Sequence, residues 1–259
     1  MKSGIGRLIV PGVFALAGAA LLVGLGIWQL QRLQWKEALI ARVESRIHSA
    51  PVPAPGPDMW RPFDVERFDY RPVEAKGRFL HDKEIHVFAA LSEPKGPAGG
   101  VGYRVMTPLE TAGGWYLFVN RGFVPADRKD PATRAQGQIP GEVTVTGLVR
   151  PAEPAGIFTP GKDVAANVWF NRDPAEMAAA VGLPAERVAP YTVDAAFDPA
   201  LPGGLPQGGE TVVSFPNNHL QYALTWFGLA IALVAVFAVW ARGKLRSAPA
   251  AGGTGEDGR

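Results

Sequence analysis

A histidine lies among aromatic and amide side chains where the second long apolar segment of the chain begins. His219, Tyr222 and Trp226 are three and four residues apart, so a helix would place them on one face. An imidazole nitrogen is a natural axial ligand for haem iron, and aromatic rings can flank a macrocycle. The other interpretation is a plain membrane anchor, in which Tyr222 and Trp226 join the interfacial aromatic belt and Asn218 with Gln221 forms a capping box.

A basic and aromatic group lies near the end of the first apolar segment. Trp28, Arg32 and Trp35 also share one helix face, and Lys36 follows directly. Arg32 or Lys36 could neutralise the propionates of a haem through charge-assisted hydrogen bonds. The residue types alone leave two interpretations open: a pocket shared by the two helix ends, or two capped anchors with aromatic belts.

Other kinds of site lack their usual residues. With no cysteine, the chain has no disulfide, thiolate metal site or cysteine nucleophile. Its four histidines form no His-x-x-x-His pair, and neither a Gly-x-Ser-x-Gly elbow nor a phosphate-binding loop occurs. His81 and His86 are interpreted as surface or half-buried histidines, and Arg121 as a turn residue paired with a carboxylate or as a docking arginine. A net charge of +2 gives no reason to expect nucleic acid as a partner.

Two segments are long and apolar enough to span a bilayer, because residues 8–31 and 220–241 carry no charge. Lys or Arg residues follow the second segment at 242, 244 and 246, whereas residues 211–221 contain none, so the positive-inside rule predicts that both termini are cytoplasmic. The predicted order is a cytoplasmic tail (1–7), a first transmembrane helix (8–31), a helical extension with a proline-rich spacer (32–57), a β-rich extracytoplasmic domain (58–216), a second transmembrane helix (217–241) and a disordered cytoplasmic tail (242–259).

Between the spans, alternating apolar residues predict mostly strands. Gly113 and Gly114 predict a hairpin turn, and one helix is expected over 175–181, with Asp173 as its N-cap and Gly182 as its stop. The sequence therefore predicts a membrane protein in which two terminal transmembrane α-helices flank an α+β domain, dominated by antiparallel β-sheet that can curl toward a barrel. The candidate strands are Tyr70–Phe79, Glu84–Leu91, Gly102–Leu109, Trp115–Asn120, Glu142–Arg150 and Val188–Val193.

Short motifs occur along the chain in the order of one known family. They are Gly26–Lys36, Tyr70–Val73 with Gly77 and Phe79, Thr107–Pro108, Val119–Pro125, Gly141–Val143 with Gly147 and Arg150, Asn167 and Trp169, and Asn218–Tyr222 followed by Thr225–Trp226. Each motif is short, but their joint order is specific. In this order the chain resembles the Surfeit-locus (Shy-type) family of cytochrome c oxidase assembly proteins, from about Gly24 to Gly228.

The resemblance implies an assembly factor rather than an enzyme: a membrane-anchored protein that helps subunit I of cytochrome c oxidase mature at or near haem a insertion. It implies subunit I, other assembly factors and membrane lipid as partners. The implied location is the bacterial inner membrane, with the domain in the periplasm, or the mitochondrial inner membrane in a eukaryote. The alternative is a membrane scaffold that stabilises an oxidase assembly intermediate without binding haem.

The resemblance also assigns the site. The family histidine matches His219, and the basic and aromatic group of the first helix matches as well. The expected site therefore holds haem a transiently, with His219 as the axial ligand of its iron, and no catalytic residue is expected. The expected cofactor-contacting residues are His219, Tyr222, Trp226, Trp28, Arg32, Trp35 and Lys36.

Overall fold

The computed structural model describes residues 6–211 and 217–246. The expectations for residues 1–5, for the end of the domain at 212–216 and for the tail at 247–259 lie outside the described residues. The chain forms two compact units. Among the described residues, 42–211 make the sheet domain, and 6–41 with 217–246 make a unit of two long helices.

The described residues contain four α-helices and seven β-strands. The helices are α1 (Gly6–Ile47), α2 (Val65–Phe68), α3 (Pro174–Ala180) and α4 (His219–Arg246). The strands are β1 (Val52–Pro53), β2 (Pro72–Phe79), β3 (Ile85–Leu91), β4 (Gly100–Thr111), β5 (Tyr116–Pro125), β6 (Glu142–Pro151) and β7 (Val188–Ala195). Short 3₁₀ turns lie at Pro57–Met59, His81–Lys83, Ala126–Arg128, Pro131–Gly137, Ala185–Arg187 and Pro202–Gly204.

The two long helices, α1 and α4, are each apolar and long enough to cross a membrane, which indicates a membrane protein. α1 continues for 42 residues, so the apolar segment and the charged segment after it form one helix. Within the sheet domain the last turn of α1 is fixed by Arg46. Its guanidinium donates hydrogen bonds of 2.8 Å to the carbonyls of Glu66 and Asp69.

Five strands of the domain close into a barrel. Their order is β2-β6-β7-β5-β4, and β4 pairs back with β2, while β1 and β3 extend the sheet beside β2 and β4. Most pairings are antiparallel, as the sequence predicts, but β1–β2 and β5–β7 are parallel. After β5 the chain forms β6 and α3, and it then returns as β7, which lies between β5 and β6. In this position β7 is antiparallel to β6 and parallel to β5. The predicted fold class is thereby confirmed.

Local sequence signals explain the ends of several elements. The β4–β5 hairpin turns at Gly114, whose φ of +73° suits glycine, and the Thr111 N–H donates to the Trp115 carbonyl at 2.9 Å. α3 begins as predicted, because the Asp173 carboxylate accepts hydrogen bonds from the N–H groups of Ala175 and Glu176. It ends before Gly182, which also has a positive φ.

Two apolar cores stabilise the domain. The first fills the barrel, with inward-facing residues of all five strands, such as Val73, Val119 and Tyr191. The second lies on the outer face of β3, β4 and β5, where α3 and Trp169 cover it. Full burial of one large apolar side chain contributes about 1.5–3 kcal/mol, so these cores supply the main favourable free energy of the fold.

The proline-rich segment after α1 is more than a spacer. Val52 and Pro53 form β1, which pairs in parallel with β2. The Pro55 carbonyl accepts hydrogen bonds from the Tyr191 hydroxyl (2.8 Å) and from the Trp60 indole N–H (2.9 Å). The segment is therefore fixed to the barrel from Val52 onward.

Barrel closure requires a glycine at one position of β2. Gly77 of β2 pairs with both β6 and β4, and a Cβ at this residue would lie 2.3 Å from the carbonyl oxygen of Glu110. We expect Gly77→Ala to lower the free energy of unfolding of the domain by about 2 kcal/mol, since a strand must shift. Thermal or denaturant unfolding of the full chain measures this. Gly161→Ala is the matched control, because a Cβ there has nothing within 4 Å. Equal stability of the two variants would contradict the role of Gly77.

Candidate functional site

Small residues of α1 make room for large side chains of α4. A Cβ added at Gly26 would lie 2.5 Å from the Phe227 ring, and one at Gly18 would lie 3.1 Å from Leu233. The residue numbers on α4 fall as those on α1 rise, so the two helices are antiparallel. Glycine on a membrane helix allows close backbone approach and dispersion contacts, which drive helix association in lipid. The packing of α1 on α4, which a shared site requires, is therefore present.

The sequence-predicted histidine faces this helix interface. His219 is the first residue of α4 and is half-buried, and its Nδ1 lies 2.7 Å from Oε1 of Gln29 on α1. An amide oxygen only accepts hydrogen bonds, so the imidazole must donate through Nδ1–H. The neutral ring therefore carries its proton on Nδ1, and Nε2 keeps a lone pair. Within the described residues, no hydrogen bond reaches Nε2.

This arrangement is the one that metal-ligating histidines usually show. Such residues donate one ring N–H to an oxygen, which fixes the tautomer and the ring orientation, and bind the metal through the other nitrogen. No group of three or more His, Cys, Asp or Glu side chains that could hold an ion occurs in the described part of the chain. A single imidazole with one free nitrogen is the kind of protein ligand that haem iron takes. The residues present fit the group that the family resemblance implies.

The other predicted contact residues lie along the two helices on either side of this pair, Lys36 beyond it on α1 and Trp226 about two turns into α4, and no hydrogen bond joins them to His219 within the described residues. Arg32 is placed with its Cζ 4.8 Å from the centre of the Trp35 ring. Trp28, Trp35 and Tyr222 are about half exposed, at 50%, 55% and 54%, whereas Trp226 is partly buried. Lys36 is seven residues after Gln29, so it lies on the same face about 10.5 Å further along the helix. Gln29 lies beside these residues on α1, and the sequence alone did not reveal it as the partner of His219.

The capping box predicted at the start of α4 is not formed. The carbonyl of Asn218 accepts the Tyr222 N–H at 3.1 Å, which is the backbone part of a cap. Neither the Asn218 nor the Gln221 side chain makes a hydrogen bond within the described residues. Both side chains are exposed, so water can satisfy the free N–H groups of the first turn.

Comparison with known proteins identifies the family. The model of the SURF1 family matches residues 16–231. The chain belongs to the SURF1 family. It is 40% identical over 237 residues to human Surfeit locus protein 1, covering 87% of this chain and 75% of that protein. It is 37% identical over 246 residues to the rat protein of the same name (91% and 76%), and 39% identical over 233 residues to a SURF1-like protein of Drosophila melanogaster (85% and 74%).

The domain of this SURF1-family chain also contains a buried charged cluster. Glu84 lies directly before β3. Arg134 donates to both of its carboxylate oxygens, from Nη1 to Oε2 at 3.3 Å and from Nη2 to Oε1. His86 Nε2 also donates to Oε1, at 2.8 Å. All three side chains are at most 5% exposed. Burial raises the pKa of Glu84, but the hydrogen bonds from His86 and Arg134 and the charge of Arg134 outweigh it and hold the pKa at about 2. The sequence predicted His86 as a surface or half-buried histidine, whereas the structure buries it.

Arg121 extends this cluster to the end of the barrel. It lies inside β5 rather than in a turn, and no ion pair joins it to a carboxylate among the described residues, so the predicted pairing is wrong. Its Nη2 donates to the Gly137 carbonyl, its Nη1 approaches His81 Nδ1 at 3.5 Å, and its Cζ lies 4.8 Å from the Phe79 ring. Burial lowers the pKa of Arg121 to about 10, with the charge of Arg134 acting in the same direction. Sequence spacing gave no sign of this cluster, because its members come from four separate elements.

The tautomer of His219 is directly testable. In nitrogen-15 spectra of the full chain at a pH where the ring is neutral, we expect the proton on Nδ1. Gln29→Leu removes the acceptor, so a large fraction of the ring should shift to the Nε2–H tautomer. Gln34→Leu, at an exposed residue of the same helix, is the matched control and should leave the spectrum unchanged. A predominant Nε2–H tautomer in the unmodified protein would contradict the hydrogen bond.

The buried carboxylate makes stability depend on pH. Because the pKa of Glu84 falls from its ordinary 4.5 to about 2 on folding, its ionised form stabilises the domain above pH 4.5, and this contribution is lost as the pH falls toward 2. Glu84→Gln should cost about 3 kcal/mol at pH 7 and flatten the stability curve over that interval. Glu110→Gln breaks the exposed pair with Arg78 and should cost less than about 1 kcal/mol. Parallel unfolding curves for the Glu84 variant and the unmodified chain would exclude this stabilisation.

Proposed function

We propose that this protein is an assembly factor for cytochrome c oxidase that helps subunit I mature at or near haem a insertion. The observation that carries the haem part is the 2.7 Å contact of His219 Nδ1 with Gln29 Oε1, which leaves Nε2 of the imidazole available. Membership of the SURF1 family, and the resemblance of the motifs to oxidase assembly proteins, support the assembly part. Subunit I, other assembly factors and membrane lipid are the proposed partners.

In this proposal the residues of the helix pair bind and orient, and none of them catalyses a reaction. Haem a, when bound, would supply an iron that an imidazole can ligate. His219 would hold it through Nε2, and Gln29 would keep the imidazole in the required tautomer and orientation. Arg32 and Lys36 would provide positive charge for the propionates, while Trp28, Trp35, Tyr222 and Trp226 would provide apolar ring contacts.

The proposed location is the bacterial inner membrane, with both termini in the cytoplasm and the sheet domain in the periplasm. The supporting observations are the two apolar helices and the basic residues in the last turn of α4, Lys244 and Arg246. In a eukaryote the mitochondrial inner membrane is the equivalent location. A reporter fused after residue 246 and one inserted at Gly161, where the exposed chain tolerates change, would test this orientation.

Haem binding gives the decisive test. The full chain would be produced together with the enzymes of haem a synthesis, purified, and its optical spectrum recorded beside those of variants. We expect His219→Ala to lose the haem and Gln29→Leu to bind it at least roughly tenfold more weakly, as usual for loss of a partner of a metal ligand. His48→Ala, at an exposed histidine, is the matched control and should keep the spectrum of the unmodified protein. Equal haem content in the His219→Ala protein would remove this residue from the proposal.

One observation favours the alternative of a scaffold that binds no haem. Ile157 and Phe158 are both 97% exposed at a turn that the Thr159 N–H closes on the Gly156 carbonyl at 3.0 Å. Two fully exposed large apolar residues on an ordered turn are typical of a protein contact. The scaffold interpretation expects Ile157→Ser with Phe158→Ser to reduce oxidase yield in cells, while His219→Ala leaves it unchanged. The opposite pattern favours the haem proposal.

A further inference from the structure

A pocket of about 250 Å³ opens at one end of the barrel, within the sheet domain. It lies where β6 and β7 separate. β7 pairs only with Gly147–Pro151 of β6, because the chain leaves the sheet after Ala195, and the first half of β6 therefore has no partner strand on this side in the described part of the chain. Inward-facing Phe79 and Val143 form its floor with Arg121, and residues 196–208 after β7 form its outer wall. Ligand sites often lie in the mouths of barrels, and this volume suits a ligand smaller than a drug-sized one.

The guanidinium on the floor of this pocket is buried, and the charge of the nearby Glu84, which favours its charged form, is shared with Arg134. Arg121 is 6% exposed, and the nearby carboxylate, Glu84, is already bound through both oxygens by Arg134 and by His86. His81 does not neutralise this charge. Its Nε2–H donates to the Ile139 carbonyl at 2.9 Å, so the Nδ1 atom that faces Arg121 is an uncharged acceptor. Two guanidinium groups therefore share one carboxylate. Buried charges in proteins are normally paired, so a surplus positive charge beside a pocket indicates an anion site.

The rest of the lining selects the kind of anion. Apart from Arg121, the side chains that line the pocket carry no positive charge, and the exposed carboxylate of Asp198 lies at its rim, where it accepts the Ala200 N–H at 2.8 Å. One positive charge and one rim carboxylate favour a monoanion over a doubly charged phosphate. The walls are mostly apolar, and Phe197 at the mouth is 61% exposed, so the ligand should carry an apolar tail.

The unpaired edge of β6 adds polar contacts. The Thr146 carbonyl accepts the Ala196 N–H at 2.9 Å, so Thr146 directs its backbone groups toward the β7 side. In an antiparallel strand, residues two apart point their backbone groups the same way, and Thr144 therefore directs its N–H toward the pocket. β2 covers only the opposite edge of this segment. A second oxygen of a bound anion can accept this N–H.

We propose that the barrel mouth is a binding site for a small organic monocarboxylate with an apolar tail, held by Arg121 and the Thr144 N–H of the β6 edge at its carboxylate and by Phe197 along its tail. The site is made entirely of sheet-domain residues. It goes beyond the proposed haem-binding role of the helix pair, and its test does not depend on that role.

Calorimetric titration of the full chain in lipid nanodiscs tests the proposal, with empty nanodiscs as the partition control. The probes are hexanoate, hexanol and hexyl phosphate, which share a tail and differ in charge. We expect hexanoate to bind saturably with a dissociation constant below about 1 mM, as good contacts for so small a ligand allow. At a pH well above the second pKa of hexyl phosphate, hexanol and hexyl phosphate should bind at least about tenfold more weakly, because hexanol has no charge and hexyl phosphate has two. Failure of hexanoate to saturate, or tighter binding of hexyl phosphate, would overturn the proposed ligand class.

Matched variants assign the binding to this pocket. Arg121→Gln should weaken hexanoate binding at least about tenfold, since a charge-assisted hydrogen bond is lost, whereas Arg78→Gln, at an exposed arginine of β2, should not. If Arg121→Gln does not fold, Phe197→Ala decides, because this exposed side chain can be removed without loss of the core. Phe197→Ala should weaken binding several-fold, and Phe158→Ala, an exposed phenylalanine away from the pocket, should have no effect. Equal affinity of Phe197→Ala and Phe158→Ala would place the site elsewhere.

Discussion

Closure of the sheet between β2 and β4 is the constraint on which the domain depends. β2 pairs with β6 along Pro72–Arg78 and also with β4 near its end, and Gly77 takes part in both pairings. Only a residue without a side chain allows the Glu110 carbonyl to approach this closely. Once the barrel is closed, every second residue of its five strands points into one dry interior. A polar side chain that points inward must then form its hydrogen bonds or ion pairs inside the barrel.

Arg121 shows the consequence of this alternation of inward and outward side chains. Along β5, Leu117 and Val119 point into the barrel, and Arg121 is the next residue of the same phase. Because it is near the strand end, its guanidinium reaches the barrel mouth instead of the centre of the core. There Glu84 is already shared between Arg134 and His86, so the cluster keeps one more positive than negative charge. Desolvation makes such a surplus costly. Its presence is therefore more naturally explained by an anion than by stability.

Sequence patterns predicted the architecture well, because period-two strands, a capped helix and uncharged spans are local signals. The limits of β3 and β6 to within one residue, the start of β7 and the Asp173 cap followed directly from such signals. Contacts between distant segments did not follow. The parallel pairing of β7 with β5 depends on which gap the strand enters, and the link of Glu84 to Arg134 spans 50 residues. His219 was selected from residue types and family resemblance, whereas Gln29 as its partner requires the register of two packed helices.

The chemical identity of that partner matters more than its position. A carboxylate in place of Gln29 would also accept the Nδ1–H of His219, but it would favour the imidazolium, in which neither nitrogen has a free lone pair. A hydroxyl can both donate and accept, so it would not determine which nitrogen is protonated. A side-chain amide also has both kinds of group, but here its oxygen faces the ring, and that oxygen accepts only and carries no charge. In this orientation Gln29 fixes the proton on Nδ1 while keeping Nε2 able to bind a metal, and the small residues of α1 allow α4 to approach closely enough for this contact.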